Sequence, residues 1–154
     1  MEKLIQQFYS SFEQFDVESM VECYHPEIVF EDPAFGKLSG EQAKNMWRML
    51  ITNQKGKDFS ISYSDVKGTN KNGSAHWEAK YNFSKTGRKV QNKIDAEFEF
   101  KDGLIIKHTD SFDLHSWAKQ ALGFKGFLLG GTSFFQKKLQ TQTSKLLSDF
   151  EKKK

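Results

Sequence analysis

The stretch VFEDPAFGKLSG, residues 29–40, decides the fold that the sequence predicts. An apolar run ends there at two acids, Glu31 and Asp32, and a proline and a glycine follow. An aspartate in this position is typical of a turn in which its carboxylate accepts hydrogen bonds from nearby amides. Alternatively, Asp32 points back into an apolar space, where burial would raise its pKa toward that of a useful general base. The residues alone leave both interpretations open, and Glu31 is expected to face outward.

Two helices are predicted before this stretch. Apolar residues at helical spacing predict an amphipathic first helix. They are Leu4, Ile5, Phe8, Phe12 and Phe15. Asp16 has the position of an N-cap for a short second helix, which Pro26 would end after His25. The apolar residues of that helix are Val17, Met20, Val21 and Tyr24.

A third helix is predicted over residues 39–53, directly after the opening stretch. Ser39 and Gln42 have the spacing of a capping box. The following apolar residues recur on one side of the helix. They are Ala43, Met46, Trp47, Leu50 and Ile51.

Four strands are predicted from the alternating pattern of residues 58–114. The segments DFSISYSDVKG, SAHWEAKYNFS, KVQNKIDAEFEF and LIIKHTDSFDL are separated by the turn sequences NKNG, KTG and KDG. Consecutive strands joined by short turns imply a meandering antiparallel sheet. In the second and third strands, apolar residues occupy one face and charged residues the other.

The fourth strand departs from this pattern. Its apolar-facing positions, Ile106 and Phe112, are interrupted by His108 and Asp110. Residues at i and i+2 of a strand share a face, so this imidazole and this carboxylate are expected to lie side by side. Such a pair is suited to acid–base catalysis, and it can equally be a structural pair that joins the sheet to a helix.

The last forty residues are expected to form a helical extension. HSWAKQALG predicts a short helix that Gly123 ends, FKGFLLGG an apolar connection, and residues 133–150 a final helix. Net charge is +3 over 154 residues, but residues 115–154 carry eight basic and two acidic side chains. A basic end can attract nucleic acid or an anionic membrane, although lysines on an exposed helix face are the commoner explanation.

Length and composition indicate a single domain, residues 1–154, with a large aromatic core, and the predicted helices and strands make it α+β. Fifteen phenylalanines supply bulky apolar material. Cys23 is the only cysteine and no apolar leader is evident, so we expect a reduced, cytoplasmic protein without a membrane span. The histidines lack metal-ligand spacing, and no phosphate-binding glycine pattern is present. We therefore expect no metal, no cofactor and no nucleic-acid partner.

Three helices, a curved antiparallel sheet and FEDP between helices two and three resemble the nuclear transport factor 2-like superfamily. The motif is most similar to the ketosteroid isomerase and SnoaL-like polyketide cyclase branch, over residues 1 to about 114. This resemblance implies a cone whose three N-terminal helices close over the concave face of the sheet. It also implies a homodimer through the convex face, and it gives Asp32 the position of the isomerases' catalytic aspartate.

The departures from the isomerase pattern concern its two hydrogen-bond donors. By resemblance, Phe8 stands where the isomerases have a tyrosine and Ala96 where they have an aspartic acid. Their neighbours Tyr9 and Asp95 are expected to point away from the cavity. Because each such donor contributes about 3 to 4 kcal/mol of transition-state stabilisation, steroid isomerisation is not expected. The aspartate–arginine–aspartate triad of limonene epoxide hydrolase, another relative, is also absent.

The resemblance then places Asp32, His108 and Asp110 as candidate catalytic residues around a small apolar molecule. Candidate ligand-binding residues are Phe8, Tyr24, Trp47, Trp77, Tyr81, Phe98 and Phe112, although aromatic stripes more often form plain core. Three functions stay open: a cofactor-independent isomerase, lyase or hydrolase, a non-catalytic ligand carrier, and a protein-interaction module whose cone is filled by side chains.

Overall fold

The computed structural model describes residues 1–153 as a mixed α+β fold of six helices and six strands. The helices are α1 Glu2–Glu13, α2 Val17–Val21, α3 Glu41–Gln54, α4 Leu114–Leu122, α5 Phe124–Leu129 and α6 Ser133–Lys152. The strands are β1 Tyr24–Asp32, β2 Gly36–Ser39, β3 Ser60–Gly68, β4 Asn72–Asn82, β5 Lys89–Lys101 and β6 Leu104–Ser111. The predicted fold class is confirmed.

All six strands form one curved sheet with the order β2-β1-β6-β5-β4-β3. The four predicted strands are confirmed as an antiparallel meander, β3 to β6. Two further strands extend it. β1 pairs with β2 in antiparallel fashion and with β6 in parallel, so that Phe30 lies opposite His108. The first and the last strand along the chain therefore lie side by side at the centre of the sheet.

Helices α1 and α3 cover one face of this sheet and enclose the core between them. α1 contacts β3 and β4, and α3 contacts β1 and β2. The largest fully buried side chains are Trp47, Tyr9, Tyr24, Phe8, Phe12 and Phe30. The opposite face carries the charged residues of β4 and β5, as the alternation predicts.

Some local predictions were wrong. The second helix ends at Val21, and Tyr24 belongs to β1 because its backbone pairs with Ile105 of β6. The predicted capping box is not formed, since Gly40 is the N-cap of α3 and no side chain caps it. The glycine-punctuated connection contains a helix, α5.

One side-chain orientation also differs. A register shift between β5 and β6 places Ile105 in the core and leaves Ile106 half-buried. Tyr9, expected to point away from the cavity, does not line it, but the side chain is fully buried and stacks on Tyr63. Asp95, in contrast, is exposed as expected.

The C-terminal helix α6 packs across α3 and the turn at residues 33–36. Leu147 is its buried residue. Among residues 1–153, no helix is long and apolar enough to cross a membrane.

Candidate functional site

A cavity of about 320 Å³ lies between the sheet, α3 and α6. Most of its wall is apolar. Aromatic walls are Phe12, Phe30, Trp47, Trp77, Tyr81 and Phe112. Two carboxyl groups, Asp32 and Asp110, also line it, together with the amide of Asn92. A mostly apolar cavity with a few polar groups is the usual form of a small-molecule site.

The two carboxyl groups lie close together because of the parallel pairing of β1 with β6. Phe30 is paired with His108, and Glu31 with Thr109. Asp32 lies two residues after Phe30, and Asp110 lies two residues after His108. Their side chains therefore project from neighbouring strands on the same face of the sheet. Neighbouring strands are about 4.8 Å apart. The sheet therefore presents two acids side by side to the cavity.

Asp32 is held by the turn that follows it. Its Oδ1 accepts hydrogen bonds from the amides of Ala34 at 3.0 Å and Phe35 at 2.6 Å. Gly36 closes the hairpin with a φ of +73°, a conformation that glycine adopts without steric cost. The turn interpretation and the inward-facing interpretation of Asp32 are thus both correct: Oδ1 builds the turn, and the side chain lines the cavity.

Burial raises the pKa of Asp32 from 3.8 to about 7. The negative charge of Asp110 raises this pKa further, while the hydrogen bonds from Phe35 and Ala34 lower it. A carboxyl group with a pKa near neutrality is present in both protonation states at physiological pH, as a general acid–base catalyst requires. Glu31, its neighbour, is exposed.

Asp110 ends a buried chain of hydrogen bonds. The indole of Trp47 donates to the Tyr24 hydroxyl at 2.9 Å, and that hydroxyl lies 2.7 Å from Nδ1 of His108. Nε2 of His108 lies 2.9 Å from Oδ1 of Asp110. The indole of Trp77 donates to the same oxygen at 3.3 Å.

The indole at the start of this chain sets the direction of the protons. An indole N–H can only donate, so the Tyr24 oxygen accepts from Trp47 and its own proton is available to His108. Nδ1 of His108 then accepts, and Nε2–H donates to Asp110. This arrangement uses every donor in the chain, whereas a proton on Nδ1 would leave the Tyr24 hydroxyl proton without an acceptor. His108 therefore carries its proton on Nε2.

His108 itself lies behind the cavity wall rather than on it. Its side chain is fully buried and both ring nitrogens are hydrogen-bonded. The rings of Phe8, Phe30 and Phe98 surround it, with Phe98 at a centroid distance of 4.5 Å. The cavity-lining residue to which it is directly hydrogen-bonded is Asp110.

The predicted ligand-binding residues divide into two groups. Trp47, Trp77, Tyr81 and Phe112 line the cavity. Phe8, Tyr24 and Phe98 instead lie around His108. The spacing of apolar residues in the helices and strands indicated correctly that all seven side chains face inward. It could not distinguish residues of the cavity wall from residues in the layer behind it.

Sequence reasoning missed Tyr9. Among residues 1–153, its hydroxyl is the only buried side-chain polar atom without a hydrogen-bond partner. Burial raises the pKa of this phenol, and the charge of Asp110 raises it further. A signal was available, because Tyr9 lies four residues after Ile5 and three before Phe12, which is the spacing of a buried helix face.

Helix α6 forms one side of the cavity through Leu139, Gln142 and Leu146. It is also hydrogen-bonded to the turn that holds Asp32. Thr143 donates to the carbonyl oxygen of Ala34 at 2.9 Å, and Gln140 donates to that of Pro33 at 3.1 Å. These bonds join the extension beyond residue 114 to one of the two acids.

Comparison with solved structures gives the same fold. TerC, co-crystallized with polyporic acid, superposes with a TM-score of 0.64 at 14% sequence identity, over 77% of this chain and 95% of TerC. An epoxide hydrolase from M. tuberculosis that resembles limonene epoxide hydrolases has a TM-score of 0.58 at 18% identity, over 83% of this chain and 89% of that one.

A nuclear transport factor 2-like protein of unknown function from Burkholderia pseudomallei has a TM-score of 0.63 at 12% identity, over 78% of this chain and 95% of that one. No curated protein sequence matches the chain. The family model for the SnoaL-like domain matches residues 5–108, a span that runs from α1 to His108 in the middle of β6. The chain therefore belongs to the SnoaL-like domain family.

Proposed function

We propose that this protein binds a small apolar molecule in the cavity and transfers protons on it without a cofactor. The observation that carries this proposal is the pair of carboxyl groups, Asp32 and Asp110, on one wall of a mostly apolar cavity. Proton transfer by a positioned side chain contributes about 10²- to 10⁴-fold to a rate. Solved structures with this fold include an epoxide hydrolase and a protein crystallized with polyporic acid.

In this proposal Asp32 exchanges protons with the substrate. As a carboxylate it accepts a proton from a carbon beside a carbonyl group, and as a carboxylic acid it returns the proton to a second carbon. The pKa of about 7 supports both steps near neutral pH. The mostly apolar wall lowers the local dielectric constant, which strengthens each electrostatic interaction inside the cavity.

Asp110 is proposed as the second group that meets the substrate. Its Oδ1 is occupied by His108 and Trp77, so the carboxyl plane is fixed. His108, a candidate catalytic residue by sequence, is proposed to act through Asp110 as a positioning residue, because it does not reach the cavity wall. The Tyr24 hydroxyl holds the other side of its ring.

The cavity and the pKa of Asp32 also bear on the two alternative functions, an interaction module and a non-catalytic carrier. A module whose cone is filled by side chains would have no cavity, and here one of about 320 Å³ is present. A non-catalytic carrier needs no acid with a pKa near 7.

A homodimer through the outer sheet face stays a prediction, and that face carries His76 hydrogen-bonded to Asp95 and Glu78.

The test is mass spectrometry of small molecules that co-purify with the protein from its producing cells. The bound fraction is extracted, returned to fresh protein, and compared before and after incubation. We expect an isomer to accumulate with the native protein. Asp32→Asn and Asp110→Asn should retain ligand but form no product, while the exposed control Asp95→Asn should be active. Unaltered ligand with the native protein would identify a carrier.

A further inference from the structure

Helix α5 buries its glycine side and exposes its large apolar side chains. A Cβ atom at Gly126 would overlap the carbonyl oxygen of Ala118, and one at Gly130 would lie 2.5 Å from the Cβ of Ala118. The glycine side of α5 therefore lies directly on α4. His115 fixes the pair by donating from Nε2 to the carbonyl oxygen of Phe127 at 2.8 Å.

This packing turns the large apolar side chains of the segment outward. The exposed residues are Phe124 (75%), Phe127 (55%), Leu128 (58%), Leu129 (45%) and Phe134 (69%). We call these five residues the C-terminal apolar patch. Single exposed apolar residues are normal, but a contiguous group of this size marks an interaction surface. The rigid contact of α5 with α4 holds the patch exposed.

Positive charge surrounds the patch. Lys125, Lys137 and Lys138 are exposed, and no ion pair within residues 1–153 involves any of them. The sequence between Asp113 and Asp149 contains no acidic residue and five lysines. Apolar residues beside unpaired lysines are the combination that binds an anionic lipid surface, where headgroups attract lysine and the acyl boundary accepts phenylalanine and leucine.

We propose that the C-terminal apolar patch docks the protein on an anionic lipid bilayer. A second copy of this chain fits the patch less well. A symmetric dimer would place the patch on itself and would bring the lysines of both copies together without an acid between them. An anionic bilayer supplies the missing negative charge and the apolar environment at the same time.

The docking surface also adjoins the cavity. A groove of about 260 Å³ runs beside the patch and is lined by Leu129, Phe134 and Lys138. This groove and the cavity share Trp117 and Leu139 in their walls. Docking would place the groove at the lipid surface, where an apolar ligand of the proposed kind is concentrated. The docking proposal itself does not depend on catalysis.

The test is co-sedimentation of the full chain with vesicles of phosphatidylcholine, with and without phosphatidylserine. We expect binding to the vesicles that contain phosphatidylserine, and weaker binding as salt is raised. Lys125→Glu/Lys138→Glu should weaken the binding by roughly 25-fold or more, because each lysine near an anionic surface contributes about fivefold. Phe124→Ser/Leu128→Ser should also weaken it.

The matched control is Lys71→Glu/Lys101→Glu. This pair has the same change in charge, and both residues are exposed, Lys71 just before β4 and Lys101 at the end of β5. Circular dichroism should show that all three double variants unfold at similar temperatures. Equal binding of the two lysine pairs, or no binding to phosphatidylserine, would overturn the proposal. So would a dimer in light scattering that Phe124→Ser/Leu128→Ser dissociates.

Discussion

The Tyr24 hydroxyl lies 2.7 Å from Nδ1 of His108, although 84 residues separate them along the chain. Tyr24 begins β1, and His108 lies in β6, its parallel neighbour. Through Nε2 of the same ring, this contact reaches Oδ1 of Asp110. The orientation of one cavity carboxyl group therefore depends on a phenol at the far end of another strand.

Replacing Tyr24 by Phe should destabilise the protein by about 2 to 4 kcal/mol. The change leaves the Trp47 indole and Nδ1 of His108 buried without partners, and each unsatisfied group costs about 1 to 3 kcal/mol. Urea unfolding measures the loss. Tyr63→Phe, at a half-buried tyrosine that stacks on Tyr9, is the control and should change stability little.

Nitrogen NMR of the native protein gives an independent check on the same chain of hydrogen bonds. We expect His108 to show a protonated Nε2 and an unprotonated Nδ1, because Tyr24 donates to Nδ1. In Tyr24→Phe this preference should weaken. A proton found on Nδ1 of the native protein would contradict the direction assigned to the chain.

Replacing Asp32 by Asn should stabilise the protein at alkaline pH. The pKa of Asp32 rises from 3.8 to about 7 on folding. Between these values the folded protein binds a proton that the unfolded chain has lost, so the native protein loses stability as pH rises from about 4 to about 7. Asparagine retains an acceptor for the turn and has no charge to bury.

The expected gain for Asp32→Asn is about 1 to 3 kcal/mol at pH 8, with little difference at pH 4. Urea unfolding at the two pH values measures it. Asp58→Asn, at an exposed carboxyl group, is the control, measured at the same two pH values. If Asp32→Asn were less stable than the native protein at pH 8, the folded protein would stabilise the Asp32 carboxylate, and the prediction would be wrong.

Replacing Tyr9 by Phe should stabilise the protein by about 1 kcal/mol. Burying a hydroxyl without a hydrogen-bond partner has a desolvation cost, and phenylalanine does not have this cost. This result would be opposite in sign to that of Tyr24→Phe, in which a bonded hydroxyl is removed. Urea unfolding compares the two. Destabilisation of Tyr9→Phe would show that the hydroxyl binds an internal water.

Replacing Thr143 by Val should loosen the turn that holds Asp32. The change removes the hydrogen bond to the carbonyl oxygen of Ala34 while keeping the side-chain shape. Hydrogen exchange at the Ala34 and Phe35 amides should become faster. Thr141→Val is the matched control, since Thr141 bonds only to its own helix, at Lys137. Equal exchange rates in both variants would show that the hydrogen bond from α6 does not stabilise the turn.

The sequence predicted those parts of the fold that depend on local periodicity. Alternation located β3 to β6, and it placed His108 and Asp110 on one face. The spacing of Met46, Trp47 and Ile51 located α3. The turn chemistry after Asp32 was also readable, because aspartate, proline and glycine each have a defined role there.

Long-range contacts overrode local signals elsewhere. Tyr24 fits the helical spacing of Val17, Met20 and Val21, but pairing with Ile105 draws it into β1. The parallel contact of β1 with β6 gave no local sign, so the adjacency of Asp32 and Asp110 rested on resemblance alone. Glycines lower helix propensity, which concealed α5 until the close approach of Gly126 to Ala118 was visible.

The position of β6 between β1 and β5 has a consequence for synthesis of the chain. Until residues 104–111 leave the ribosome, β1 and β5 each present an unpaired edge of backbone groups, which other chains can bind. Contacts between distant residues also slow folding. The nascent protein is therefore most prone to aggregation just before β6 emerges, and a chain shortened before residue 104 would have neither a continuous sheet nor Asp110.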